Sequence, residues 1–255
     1  MNNNIASESH HWYYPDGRPA YTIIGKNGKE RPTTLRDAKK LGLLPSYSVI
    51  MKLYPKPALD NWKVKQGIMS ALTIPHLKGE KDEDFITRIL NDSKQQALKA
   101  REKGKEIHGD IEKFLQNKEF GNQDYILPVI QELKKCIPDV DFNDFEVEKS
   151  FGCCAGYGGK VDLHSIKHNF VCDFKTKEFD ESVERLAWDE QIIQLHAYAH
   201  GLFGRHLIKD CVRLINIFVS TNNKGLIRMV EHKWDDYYLN VFLKLLEFWK
   251  VLKKF

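Results

Sequence analysis

Between residues 158 and 175 the chain carries two aspartates and a lysine at spacings that suit metal-assisted phosphodiester hydrolysis. Asp162 lies inside one short apolar run, and Asp173-Phe174-Lys175 closes the next. Side chains alternate along a strand, so Val171, Asp173 and Lys175 share one face of the second run, while on the first Val161 and Leu163 point one way and Asp162 the other. An antiparallel hairpin then lets both carboxylates and the ammonium converge. Cleaving a phosphodiester needs charge stabilisation on a non-bridging oxygen, an activated water and help for the leaving oxygen. A hard divalent cation supplies much of this, and oxygen ligands favour Mg2+ or Mn2+. Asp162 and Asp173 are the expected ligands, with the carbonyl of Phe174 as a further oxygen. Lys175 is placed to orient or deprotonate the attacking water, or to stabilise the pentavalent transition state. An Asp-x-Lys triplet is common by itself, and a surface hairpin with one ion pair has the same sequence. The flanking elements have to decide.

Before this stretch, residues 142–151 alternate as a strand, with Phe145, Val147 and Lys149 on one side and Glu146, Glu148 and Ser150 on the other. Residues 152–159 read as a glycine-rich turn, followed by strands at 160–166 and 170–176. A helix is expected over 183–203, then strands at 212–221 and 226–232 around the Asn222-Asn223-Lys224-Gly225 turn, and a closing helix over 234–254 whose basic last turn suits the helix dipole. Upstream, Ile86, Leu90, Ala97, Ala100, Ile107, Ile111 and Phe114 recur at helical spacing, which predicts one long helix over 82–116 with His108 beside its apolar stripe. Gly104, one turn before His108, costs a helix about 1 kcal/mol relative to alanine and marks either a kink or a close approach. Another helix is expected over 125–135, ending before Pro138.

The N-terminal part reads as a small hairpin over 12–27 that hangs from the rest as an appendage. A threonine-capped helix follows, ending near Gly42, and then a helix after Pro57 with Leu59, Trp62, Ile68 and Leu72 inward. The expected architecture is α/β, a central mixed sheet flanked by helices. Residues 1–80 form a hairpin and helical extension packed on it, and residues 81–255 form the core. With 255 residues, 42% of them hydrophobic, the chain is long enough for one substantial core. A net charge of +4 leaves nucleic-acid binding to local patches. Five cysteines without a CxxC pair, and an N-terminus without an apolar leader run, point to a reduced, cytoplasmic protein. No apolar run approaches the roughly 20 residues of a bilayer crossing, so no membrane span is expected.

Five motifs in chain order resemble the RecB-like exonuclease branch of the PD-(D/E)XK nuclease superfamily. They are His108 in Gly104-Lys105-Glu106-Ile107-His108, Glu148 on the first strand, Gly159-Lys160-Val161-Asp162 on the second, Asp173-Phe174-Lys175-Thr176 on the third, and Gln194-Leu195-His196-Ala197-Tyr198 on the next helix. The resemblance covers about residues 104–201. It implies a restriction-endonuclease-like core, a metal site of His108, Asp162 and Asp173, and catalysis by Glu148, Asp162, Asp173 and Lys175. Leu44-Pro45-Ser46-Tyr47-Ser48-Val49 and Lys56-Pro57-Ala58-Leu59-Asp60-Asn61-Trp62 are similar to segments of phage-encoded and mitochondrial genome maintenance exonucleases, where Ser-Tyr-Ser stands for the usual Ser-Val-Thr. No cysteine follows Cys211, so the iron-sulfur subgroup is disfavoured and no cluster is expected.

Gln194 and Tyr198 are one helical turn apart and face the same way, toward the lysine or a nucleotide phosphate, though the same pair also serves packing. Thr176, Ser46 and Ser48 complete the expected substrate contacts, the serines serving equally well as turn caps. Lys160, Lys177, Arg185 and Arg205 could neutralise phosphates, and Tyr157 and Trp188 could stack on bases. His196 and His200 imitate a zinc pair but lack partners at fitting spacing, and are expected to be boundary residues. The expected activity is a Mg2+- or Mn2+-dependent deoxyribonuclease, an exonuclease acting on DNA ends or single strands in recombination, repair or phage replication. DNA is the expected partner, with replication or recombination proteins beside it. A structure-specific endonuclease of the same fold, or a non-catalytic nucleic-acid-binding module, are the rivals.

Overall fold

The computed structural model describes residues 11–137, 141–207 and 209–255, with the side chain of Arg205 outside that set. Pro138, expected to bound a helix, also lies outside the described residues. The N-terminal segment is built into the core. It comprises β1 (Trp12–Tyr13), a hairpin of β2 (Thr22–Ile24) and β3 (Glu30–Pro32), α1 (Leu35–Leu41), β4 (Leu44–Pro45) and the short α2 (Tyr47–Ile50). β1 pairs with β4, and Trp12, 2% exposed, stacks on Phe255 and meets Trp249 edge-on. The expected appendage is therefore corrected: burial of a tryptophan anchors the segment. α1 forms as its local signals direct, with Thr34 and Asp37 in a reciprocal capping box and Gly42 ending the helix at φ +63°.

α3 (Pro57–Thr73) and the 34-residue α4 (Asp82–Leu115) form a projecting pair. The inward placement of Leu59, Ile68 and Leu72 is overturned, since all three are exposed. α3 packs along the first half of α4, where Ser70 donates to Asp92 at 2.8 Å, and not on the sheet. The apolar period of α4 reaches the core at Ile107, Ile111 and Leu115, with Phe114 packed at its edge and Ile86 and Leu90 in solvent. α5 (Gln123–Cys136) covers the same core through Ile126, Val129 and Leu133.

The sheet contains β5 (Glu146–Cys153), β6 (Tyr157–Ser165), β7 (Phe170–Lys177), then, after α6 (Asp189–Phe203), β8 (Arg213–Ser220) and β9 (Ile227–His232); α7 (Asp236–Lys253) closes the chain. Spatial order follows chain order. Only β7 and β8 are parallel, and α6 makes the crossover that parallel pairing requires. The molecule is thus α/β, with seven α-helices among the described residues around a five-stranded mixed sheet. One side of the sheet packs on α4 and α5, the other on α6, α7 and the N-terminal segment. The turn expected over 152–159 shrinks to three residues, because Cys153 pairs with Tyr157. α6 begins at Asp189 instead of 183, because Phe179, Leu186 and Ala187 pack on Phe218 in irregular chain. No helix among the described residues is long and apolar enough to cross a membrane.

One departure from strand regularity shapes the site. Phe145, Val147 and Leu163 pack in the α4/α5 core, whereas Phe151, Cys153, Tyr157 and Val161 pack in the α6/α7 core. Odd-numbered residues therefore change faces part-way along both strands. The expectation that Val161 and Leu163 point the same way is overturned, and so is the shared face of Val147 and Lys149. The change falls at Glu148 on β5 and Asp162 on β6.

Candidate metal centre

Val147 pairs with Leu163 and Lys149 with Val161, so Glu148 lies across from Asp162 with no residue inserted. Glu148 holds left-handed backbone, φ +54°. That conformation costs a non-glycine residue roughly 1–2 kcal/mol and persists only where its surroundings hold it, most often at functional sites. The β6–β7 ladder stops at Leu163–Cys172. Beyond that point the Phe174 amide donates to Asp162 Oδ2 at 2.8 Å in place of a backbone carbonyl. N–H and C=O of one strand residue leave on the same side, so the Phe174 carbonyl also faces the gap.

α4 delivers the histidine to this gap. A Cβ on Gly104 would meet Thr176 Oγ1 at 2.5 Å, so the glycine marks a close approach of helix to strand, made by a side chain. Thr176 consequently seats α4 on β7. One turn later His108 Nε2 lies 2.9 Å from Asp162 Oδ2, its ring edge-on to Phe174 at 6.1 Å. His108, Glu148 and Asp162 each offer a ligand atom within 4.8 Å of the others. One imidazole with two carboxylates suits a divalent cation, and the nitrogen favours Mn2+ over Mg2+.

Asp173 and Lys175 share a face of β7, as alternation requires, but Asp173 stands apart from that triad. Its carboxylate, 2% exposed, takes the Lys175 ammonium on Oδ1 at 2.8 Å and Oδ2 at 2.7 Å, and the Asn216 amide on Oδ2 at 3.1 Å. Lys175 also donates to Gln194 Oε1 at 3.0 Å, and Gln194 Nε2 donates to the Tyr198 hydroxyl at 3.1 Å. The α6 pair thus holds the lysine, as its one-turn spacing suggested. The arrangement is one triad from α4, β5 and β6 that could hold a cation, beside a lysine held by β7 and α6.

Burial disfavours the charged forms of all four central groups, and at three of them the attraction of opposite charges answers it. For His108, Asp162 beside the ring outweighs burial and raises its affinity for a proton. Asp162 stays below its usual value because His108, Lys175 and the Phe174 amide overcome burial. Asp173 is lifted to about 6, since burial and the like charge of Asp162 exceed the pull of Lys175. Lys175 is raised despite burial, by Asp173 and Asp162, and so remains an ammonium. Burial also pushes the Tyr198 phenol up, leaving a neutral donor.

Ser46 is buried and accepts the Val49 amide at 3.3 Å as a helix cap, while its hydroxyl lies 3.0 Å from that of the exposed Ser48. Both serines line a cavity of about 200 Å³ together with Tyr13, Tyr21, Lys160 and Tyr198. Lys160 also pairs with Glu148 and so joins this cavity to the triad. Tyr157 is fully buried and bonded to Ala197 and His200, which overturns its expected stacking on bases. His196 is a core residue, bonded to the Ile192 carbonyl and the Asp235 amide. Trp188 is partly exposed beneath the Arg185 guanidinium, and Lys177 bonds the Leu186 carbonyl. Asn216 was not anticipated. A single asparagine in the apolar run Leu214–Val219 was the signal for it, because a buried amide demands partners.

No family model matches the chain, and no curated protein matches it. Among solved structures, the crystal structure of SSO0001 is similar at 17% identity over 48% of this chain and 55% of its own, with a TM-score of 0.28. The chain thus spans about half the length of that neighbour.

Proposed function

We propose that this protein is a divalent-cation-dependent deoxyribonuclease with a restriction-endonuclease-like core. The observation that carries the proposal is the convergence of His108, Glu148 and Asp162 in the gap between parting strands, opposite a lysine bonded to Asp173 and Gln194. A Mg2+ or Mn2+ ion held by the triad would neutralise charge on the scissile phosphate and acidify a water. The chain's own residues do the rest. Lys175, kept charged by two carboxylates, orients the attacking water and stabilises charge on the phosphorus-bound oxygens. Gln194 and Tyr198 fix its rotamer, and Asp173 anchors it from the other side. Lys160, with the Ser46 and Ser48 hydroxyls, lines the adjoining cavity, where a neighbouring phosphate would find donors. The preference for DNA ends rests on the order of the motifs between residues 104 and 201.

The test compares digestion of linear single-stranded, linear duplex and closed circular DNA, each linear substrate labelled at one end, with Mg2+ or with chelator. Cation-dependent loss of the linear substrates is expected, with more than 100-fold slower turnover in Lys175→Ala and Asp173→Asn. Wild-type rates in both variants would refute the nuclease assignment, and digestion of closed circles would refute the preference for ends.

A further inference from the structure

One fully buried side chain beside the site has both ends of its amide engaged, and the mechanism above gives it no part. Asn216 stands opposite Asp173 in the parallel β7–β8 ladder and is 0% exposed. Its Nδ2 lies 3.1 Å from Asp173 Oδ2, and its Oδ1 lies 3.1 Å from His232 Nε2 on β9. The opposite amide orientation would set a carbonyl oxygen against a carboxylate oxygen. Nδ2 therefore donates to Asp173, Oδ1 accepts, and the His232 proton sits on Nε2. The donors run in one direction, His232 to Asn216 to Asp173.

This chain makes the two oxygens of Asp173 unequal. Lys175 reaches both, at 2.8 and 2.7 Å, but Asn216 reaches only Oδ2. Aspartate turns softly about its terminal torsion, so a lysine touching both oxygens does not by itself set the plane of the carboxylate. A second, fixed donor on one oxygen does.

We propose that Asn216, oriented by His232, is a positioning residue that fixes the plane of the Asp173 carboxylate and, through it, the Lys175 ammonium. The inference rests on the nuclease reading of the site. Asn216 touches neither substrate nor reacting atoms. It acts through Asp173 on Lys175, as the outer hydrogen-bond partners of site residues do, and losing such partners costs about 10- to 100-fold in activity.

The experiment measures Mn2+ affinity by electron paramagnetic resonance without DNA, kcat and KM on end-labelled DNA, and the His232 tautomer by 15N NMR of the cation-free protein. It compares wild type, Asn216→Leu, His232→Leu and His232→Gln. Asn216→Leu is expected to lower kcat by about 10- to 100-fold with Mn2+ affinity and KM for DNA each held within about twofold. His232→Leu is expected to lose less, and His232→Gln, which keeps a donor, to recover most of that loss. In wild type the His232 proton is expected on Nε2. A folded Asn216→Leu with wild-type kcat would overturn the proposal. If that variant does not fold, equal behaviour of His232→Leu and His232→Gln overturns it. A wild-type protein that binds Mn2+ but cleaves no DNA would refute the nuclease reading alone, because the His232 tautomer still decides whether Asn216 is oriented to hold Asp173.

Discussion

Gly104→Ala sets two effects of known size against each other. In an isolated helix the change stabilises by about 1 kcal/mol. Here the new Cβ would stand 2.5 Å from Thr176 Oγ1, far inside ordinary contact, while the Thr176 Cβ is at a comfortable 3.7 Å. Threonine branches at Cβ, so its hydroxyl cannot swing away freely, and overpacking of this kind costs about 1–3 kcal/mol. The net expectation is a loss of about 0–2 kcal/mol. Thr176→Ala removes the offending oxygen, so in that background Gly104→Ala should stabilise by its full ~1 kcal/mol. Urea unfolding of the four proteins of this cycle gives a coupling of about 1–3 kcal/mol if helix and strand touch there. Activity should fall further than stability. The strain is relieved by moving α4 off β7, and His108, one turn on, moves with it from its 2.9 Å contact with Asp162. A misplacement of about 1 Å can cost about 100-fold in rate. A single Gly104→Ala variant that gains the full ~1 kcal/mol and keeps its DNA-cleaving rate would refute the seating of α4 on Thr176.

Glu148→Gly should stabilise the fold by about 1 kcal/mol, because glycine adopts the φ of +54° without a Cβ penalty, while Mn2+ affinity drops; a less stable variant that keeps its affinity would contradict this. At equal concentration Mn2+ should raise the unfolding midpoint more than Mg2+, and His108→Ala should narrow the difference; identical shifts would remove His108 from the ligand set. Burial, with the neighbouring His196, lowers the His232 imidazole from an ordinary 6.5 to about 4. A folded-state value below the unfolded one contributes stability that is full above pH ~6.5 and is lost as pH falls through about 4. The contribution is at most about 3 kcal/mol, and less after screening, because the ring is partly exposed. Between about pH 7 and pH 4.5 the urea midpoint of wild type should therefore fall further than that of His232→Gln. Parallel pH profiles would refute it.

What was legible in the sequence was what local rules govern. The Thr34–Asp37 capping box and Gly42 act within one turn, and α1 formed between them. Asp173 and Lys175 share a face because β7 stays extended, and Gln194 and Tyr198 share one because α6 stays helical. Leu59, Ile68 and Leu72 were misplaced because an apolar stripe says that a helix has a face and not what covers it. Trp12 was misplaced because its partners, Trp249 and Phe255, lie at the other end of the chain. Gly104 reads in the sequence as a close approach or a kink, and its counterpart Thr176, seventy-two positions on, comes only from the fold.

The face of Glu148 was illegible for a different reason, and it is the one that makes the site. Alternation assumes that every residue of a strand is extended, and a single left-handed residue inverts the phase of all that follow. The inversion at Glu148 lies across β6 from the point where the β6–β7 ladder ends at Leu163–Cys172. Continued by one rung, that ladder would pair Asp162 with Asp173 and engage the Phe174 amide with a backbone carbonyl. No gap would then separate the strands, and the Asp162 carboxylate would have no backbone donor to fix it beneath His108. The left-handed glutamate thus stands where a proposed ligand atom and the parting of the strands meet. Glycine at this position would preserve the opening and lose the ligand, so Glu148→Gly separates the two: the Asp162–Phe174 bond should survive, seen as slow exchange of the Phe174 amide proton, while the cation is lost.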